Sequence, residues 1–214
     1  MIRAVVFDMD GVVSDTERLH QEVERLTLAP YGIVPTSDQT AGRFAGMSDR
    51  EFFPAVFAAH AVMGDVEAAI AEKWRRMAEL ARGAIAAVPG ALGLIAELQA
   101  SGFRLALASA SPRTFIDQVL DTLAIRDRFD AVVSADEVAR GKSEPDVFLL
   151  AARRLGVAPG ECVVIEDAEN GMTAARRAGM RCVGLVHAGD LSRCPADLCV
   201  SDLRTLTPEA LARL

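Results

Sequence analysis

The chain has no excess of positive charge: 23 lysines and arginines stand against 30 aspartates and glutamates, a net charge of −7. Sequence-independent binding to nucleic acid or to an acidic membrane surface needs a basic face, so neither partner is expected. No apolar stretch approaches the length of a membrane span, and the N-terminus lacks the charged-then-apolar profile of a secretory leader, so the expected location is cytoplasmic. The cysteines Cys162, Cys182, Cys194 and Cys199 form no C-x-x-C pair. Cys162 and Cys182 lie in apolar runs that read as buried strands, and all four read as reduced thiols that pack rather than bind metal. Internal repeats, low-complexity tracts and long runs of one charge are also missing.

The 214 residues, 51% of them hydrophobic, can bury a substantial core and accommodate one domain plus an insertion. From Phe103 onward short apolar runs alternate with amphipathic segments: FRLALAS (103–109), AVVS (131–134), ECVVIED (161–167) and RCVGLV (181–186). Near-continuous Val/Ile/Leu strands separated by helical periods indicate a parallel sheet covered on both faces, a three-layer α/β/α, Rossmann-like core. Helix signals agree: Ser111 stands as an N-cap before Pro112, a further helix starts near Pro145, and Gly102, Gly156 and Gly179 are placed to end helices.

Between Asp15 and Val88 the strand signal disappears. Leu19, Val23 and Leu26 give one helical stripe, and Val66, Ile70, Trp74 and Met77 with Leu80 or Ala81 give another. Ser48 and Glu51 make a capping box for a third helix, in which Pro54 should produce a kink or a late start. The expected organisation is a core of residues 1–14 and 88–214 with an all-helical cap, residues 15–87, inserted into it. The first strand, residues 2–7, then pairs with strands found a hundred residues later.

Ligands of an open parallel sheet sit at the carboxyl ends of its strands. Strand one ends in Asp8 and Asp10, which share a face because residues i and i+2 of a strand point the same way. The 103–109 strand ends in Ser109, the 161–166 strand in Glu166 and Asp167, and Lys142 lies in the loop after 131–134. Four acids, a hydroxyl and an ammonium suit phosphoryl transfer. A carboxylate attacking a phosphate dianion meets repulsion of about 4 kcal/mol at contact for an effective dielectric near 20, so a cation is required. Asp8 and Asp167, with the Asp10 backbone carbonyl and waters, offer the oxygen-rich shell that Mg²⁺ prefers. Ser109 and the neighbouring N–H of Ala110 can hold phosphate oxygens, Lys142 adds positive charge, and Asp10 is left for proton transfer. A strand simply running into an Asp/Gly turn is the plain alternative for the first of these segments. Other motifs fail on spacing. Counted from Asp8 as a calcium loop, Gly11 falls fourth instead of sixth; a P-loop ending at Lys142 would need Gly where Asp136 stands; and Arg50 replaces the closing Gly of a nucleophile elbow.

The chain resembles the haloacid dehalogenase superfamily, in its β-phosphoglucomutase-like branch with a small helical cap. DMDG (8–11), ASAS (108–111), GKSEPDVF (141–148) and VIEDAENGMTAARRAGM (164–180) carry the resemblance, in the family's order and spacing and across nearly the whole chain. It implies that Asp8 is phosphorylated, Asp10 is the acid/base, Ser109 and Lys142 bind the phosphoryl group, and Glu166 with Asp167 holds Mg²⁺. The dehalogenation that names the superfamily is not expected, because the resemblance ties it to members lacking the acid/base found here as Asp10. Thr16, His20, Arg43, Gly46, Ser48 and Lys73 fall where cap residues of this branch line the cleft. His20 reads alternatively as a packing residue, Arg43 and Lys73 as a solvated face, and Trp74, Phe52, Phe53 and Phe57 as cap core.

The same chemistry serves a phosphatase or a sugar phosphomutase. The mutase pattern has Arg directly after its Gly-x-Ser element, where this chain has Asp49, and Arg50 one place later points about 100° away on a helix. An Asp there would repel a second phosphate. The expectation is therefore a Mg²⁺-dependent phosphatase acting on a small sugar or polyol phosphate, with the mutase second and a non-catalytic phosphate-binding module third. A monomer is expected, with a dimer left open.

Overall fold

The computed structural model describes residues 1–35, 47–142, 144–187 and 191–214. Strands β1 (Ala4–Phe7), β2 (Arg104–Ser109), β3 (Ala131–Ser134), β4 (Cys162–Glu166), β5 (Arg181–Leu185) and β6 (Leu198–Val200) form one parallel sheet in the order β3-β2-β1-β4-β5-β6. The helices are α1 (Glu17–Leu28), α2 (Asp49–Ala59), α3 (Val66–Leu80), α4 (Ala91–Ala100), α5 (Arg113–Thr122), α6 (Asp146–Leu155), α7 (Glu169–Arg177) and α8 (Pro208–Ala212).

The two-residue period of the strands divides the core in two. Val5, Phe7, Leu105, Leu107, Val163 and Ile165 face one side, where Leu94, Ile95 and Leu98 of α4, Ile116 and Leu120 of α5 and Leu211 of α8 cover them. Ala4, Val6, Ala106, Ala108, Cys162 and Val164 face the other, under Phe148 and Ala151 of α6 and Met172 and Ala175 of α7. Strands so enclosed must be apolar throughout, which is why they read as unbroken runs. Removing the buried ring of Phe7 would cost about 3–5 kcal/mol.

β1 and β4 are neighbours although 154 residues lie between Phe7 and Cys162, and the strand order changes direction between them. Such a switch point opens a crevice above the strand ends. Phe7 pairs with Ile165, and Asp8 N–H donates to the Ile165 carbonyl at 3.0 Å, so the register carries Asp8 level with Glu166.

The helices of the insertion pack on one another through Leu28, Ile33, Phe52, Phe53, Val56, Phe57 and Ala69. Val23, Met77 and Ala81 join them to Met9, Val12 and Val13 of the sheet side. The chain crosses between the two parts as a pair of adjoining segments: Asp15 N–H donates to Ala86 at 2.9 Å and Val88 N–H to Val13 at 3.0 Å.

The structure differs from the sequence reading in four places. Ser111 does not cap α5; Pro112 occupies that position, and the Ser111 hydroxyl goes to Asp10 at 2.9 Å. The helix after Ser48 is neither delayed nor divided at Pro54, and Glu51 completes the capping box by accepting from the Ser48 N–H at 3.1 Å and hydroxyl at 2.7 Å. β6 went unread because three residues are too few to show a period. Cys194 and Cys199 are not reduced thiols but a disulfide, with Cα atoms 6.3 Å apart, formed as the short turn Leu191–Arg193 folds back against β6. Cys162 and Cys182 are free and buried, as expected.

Candidate active site

Asp8 stands one residue beyond β1 and is 5% exposed, while Glu166 and Asp167 stand at the end of β4. One carboxylate oxygen from each of the three lies within 4.8 Å of the others. Lys142 reaches this group from the loop after β3, fully enclosed, pairing with Asp8 Oδ1 and with Glu166 Oε1 at 2.7 Å. Glu166 also accepts from the Ala168 N–H at 2.7 Å. Burial and the charge of Glu166 push the Asp8 carboxyl well above its usual range, against the pull of Lys142. Burial, Glu166 and Asp8 do the same to Asp167. Ionised together, the three carboxylates would carry more negative charge than the one ammonium offsets, which adds to burial in favouring the protonated forms of Asp8 and Asp167.

Asp10 has a different environment. Its Oδ1 accepts from the Thr16 hydroxyl at 2.5 Å and lies 3.1 Å from His20 Nε2; its Oδ2 accepts from Ser111 at 2.9 Å, with the Ser109 hydroxyl 3.5 Å away. Burial alone would raise this carboxyl, but His20, Thr16 and Ser111 outweigh it and hold it at about 2. His20 is raised in return, Asp10 overcoming the effect of burial. Two acids two residues apart thus have opposite proton affinities, and such a separation marks distinct roles.

Glycines allow these approaches. Gly11 has φ +81°, and a β-carbon there would overlap the Asp167 carboxylate; one at Gly171 would overlap Glu166. A β-carbon at Gly141, next to Lys142, would overlap the Glu51 carboxylate and crowd the Ser48 hydroxyl, so the start of α2 lies directly against the loop that carries the lysine.

The comparison that decides the family spans most of the chain. A family model described as "Hydrolase: haloacid dehalogenase-like hydrolase" matches residues 2–179. The chain belongs to this family. Among curated relatives, it is 34% identical over 192 residues to a phosphorylated carbohydrates phosphatase of Thermotoga maritima, covering 87% of each chain. It is 33% identical over 221 residues to the β-phosphoglucomutase of Bacillus subtilis, covering 98% of this chain and 94% of the relative. The crystal structure of a β-phosphoglucomutase from Clostridium difficile superposes with a TM-score of 0.89 at 27% identity, covering 100% of this chain and 96% of the other.

Of the residues expected to line the cleft of this haloacid dehalogenase-like hydrolase, Thr16 and His20 meet Asp10 directly, and Ser48 lies against Gly141. Lys73 is 4% exposed and held inside the insertion between Glu24 at 3.0 Å and Asp49 at 2.5 Å, so it is neither a solvated face nor a free cation. Asp49 accepts a second bond, from the Trp74 indole at 2.5 Å. Trp74 is only partly in the core: its ring stands 5.3 Å from Phe115 of α5 and 6.0 Å from His20. Arg43 and Gly46 lie outside the described residues. The sequence reading missed Ser111 as a partner of Asp10, although it stands two residues after Ser109 as Asp10 stands after Asp8. It also missed His187, two residues past β5, which the strand-end rule could have found.

Proposed function

We propose that the chain is a Mg²⁺-dependent phosphatase of small sugar or polyol phosphates, working through an aspartyl-phosphate on Asp8. The observation that carries this reading is the opposed environments of Asp8 and Asp10 at the end of one strand. Asp8 supplies the nucleophilic oxygen; as its bond to phosphorus forms, the bond to the leaving oxygen breaks. Asp10 gives that oxygen a proton and then takes one from the water that hydrolyses the acyl phosphate. Thr16, His20 and Ser111 favour the Asp10 carboxylate, which suits the water-activating half, and a phosphate dianion nearby raises its proton affinity for the first half. Lys142 and Ser109 bind the phosphoryl oxygens.

The excess negative charge of Asp8, Glu166 and Asp167, and the gap at Gly11 that admits Asp167, fit a divalent cation. Asp8, Asp167 and the Asp10 backbone carbonyl would hold it, with Glu166 behind them on Lys142. Bound Mg²⁺ would cancel the repulsion between nucleophile and phosphate dianion. We read residues 15–87 as a cap over this centre, turning at the segments around Asp15 and Val88.

Substrate size follows from Asp49. Its carboxylate is paired with Lys73 and accepts from the Trp74 indole, so Lys73 is not a free cation for a second phosphate, which favours hydrolysis over mutase chemistry. Phosphate release from a panel of sugar, polyol and nucleotide monophosphates with Mg²⁺ tests the reading, with β-glucose 1-phosphate isomerisation followed in parallel. Net release that Asp8→Asn abolishes is expected. Isomerisation without release would make the chain a mutase, full activity of Asp8→Asn would remove Asp8 as nucleophile, and silence in both assays would leave a phosphate-binding module.

A further inference from the structure

His187 has no part in the reading above, yet it reaches the centre from a third strand. It follows β5, and its Nε2 lies 2.6 Å from the Gly11 carbonyl and 3.6 Å from Asp167 Oδ2. β4 lies between β5 and β1, so the segment after β5 and the imidazole together bridge two strand spacings, roughly 10 Å, to meet the loop after β1. That loop is closed on itself: Gly11 N–H donates to Ser14 at 2.8 Å, and the Val13 and Ser14 N–H groups to Met9 at 2.8 and 2.9 Å. Gly11 and Asp167 approach so closely that no β-carbon fits between them. His187 stands beside both.

We propose that His187 is a positioning residue for the divalent-cation site: it ties the Gly11 loop to Asp167, and so fixes the distance between the Asp8–Asp10 loop and the acids after β4. The tie needs Nε2 as the protonated nitrogen, donating to Gly11. The inference rests on the Mg²⁺ reading above. Groups that orient metal ligands typically change affinity by 10–100-fold when removed.

The test is the dissociation constant of Mg²⁺ alone, by calorimetry on the full chain without substrate, for wild type, His187→Ala, His187→Gln and Asp167→Asn. His187→Ala should weaken binding about tenfold or more. Gln places an N–H at nearly the same reach and should restore affinity to within about threefold, while Asp167→Asn abolishes binding. The His187 side chain is 47% exposed, so its loss should leave the fold intact. At saturating Mg²⁺, kcat and KM of His187→Ala on a fixed phosphomonoester should stay within a few-fold of wild type. Unchanged affinity in His187→Ala, or a Gln variant as weak as Ala, overturns the role of His187 alone. Failure of the wild type to bind Mg²⁺ overturns the metal reading and this inference together.

Discussion

Asp8 and Asp10 are the same residue type in two electrostatic settings. At Asp8 burial and Glu166 raise the proton affinity; at Asp10 three donors lower it to about 2. Removing one donor should therefore reduce turnover without ending it. Ser111→Ala or Thr16→Val is expected to lower kcat about tenfold, whereas Asp10→Asn lowers it by about 10²–10⁴, the range of general acid/base catalysis; steady-state kinetics on one phosphomonoester compares them. Gly11→Ala must adopt a left-handed conformation and overlap Asp167, so a loss of about 1–3 kcal/mol in denaturant unfolding is expected. The thiols provide a third check. Burial pushes Cys162 up to about 11, from an ordinary value near 8.5, and raises Cys182 as well. The thiolate is the nucleophile, and at pH 8 about one Cys162 in a thousand carries it. Iodoacetamide should spare Cys162 and Cys182 in the native protein and label both in denaturant, with Cys194 and Cys199 labelled only after reduction.

At the scale of elements, short strands act as levers. β1 has only four residues, but pairing with β2 and β4 on both sides fixes it, and the acids follow from its register. α2 does similar service for the insertion, since its first turn touches Gly141. Ser48→Ala removes the N-cap hydroxyl and should cost about 0.5–2 kcal/mol of stability by urea unfolding. The helical stripes were legible because residues such as Val23 of α1 and Met77 of α3 bury an apolar face whatever lies opposite. The partners of Lys73 were not, because Glu24 and Asp49 come from two other stretches of chain and meet it only once α1, α2 and α3 pack.

For the whole molecule, the crevice between β1 and β4 is where packing and chemistry meet. Three carboxylates around one lysine are a local cost to the fold, and a cation that enters only the folded state relieves it. Millimolar Mg²⁺ should therefore raise the melting temperature in thermal-shift measurements, and Asp167→Asn should lose the response; no change in wild type would contradict the assigned cation site. The described residues contain no helix long and apolar enough to cross a membrane. The helical insertion and the sheet part are joined by more than the chain crossings: His20 and Trp74 of the insertion meet the Phe115 ring of α5, edge-on and tilted respectively, so the lone tryptophan is placed to report any movement of the insertion.

The sequence by itself determined the α/β class, the position of the helical insertion and the acids at the strand ends, because apolar period and strand-end chemistry are local properties. It also placed Ser109 and Lys142 at the centre, since each stands at or just after a strand end. Only the tertiary structure decided that Ser111 serves Asp10 instead of capping α5, that Lys73 turns inward to Asp49, that Cys194 pairs with Cys199, and that His187 reaches Gly11. Each of these depends on which segments become neighbours, and for β1, β4 and β5 that was settled by burial on both faces of the sheet, across more than 150 residues of intervening chain.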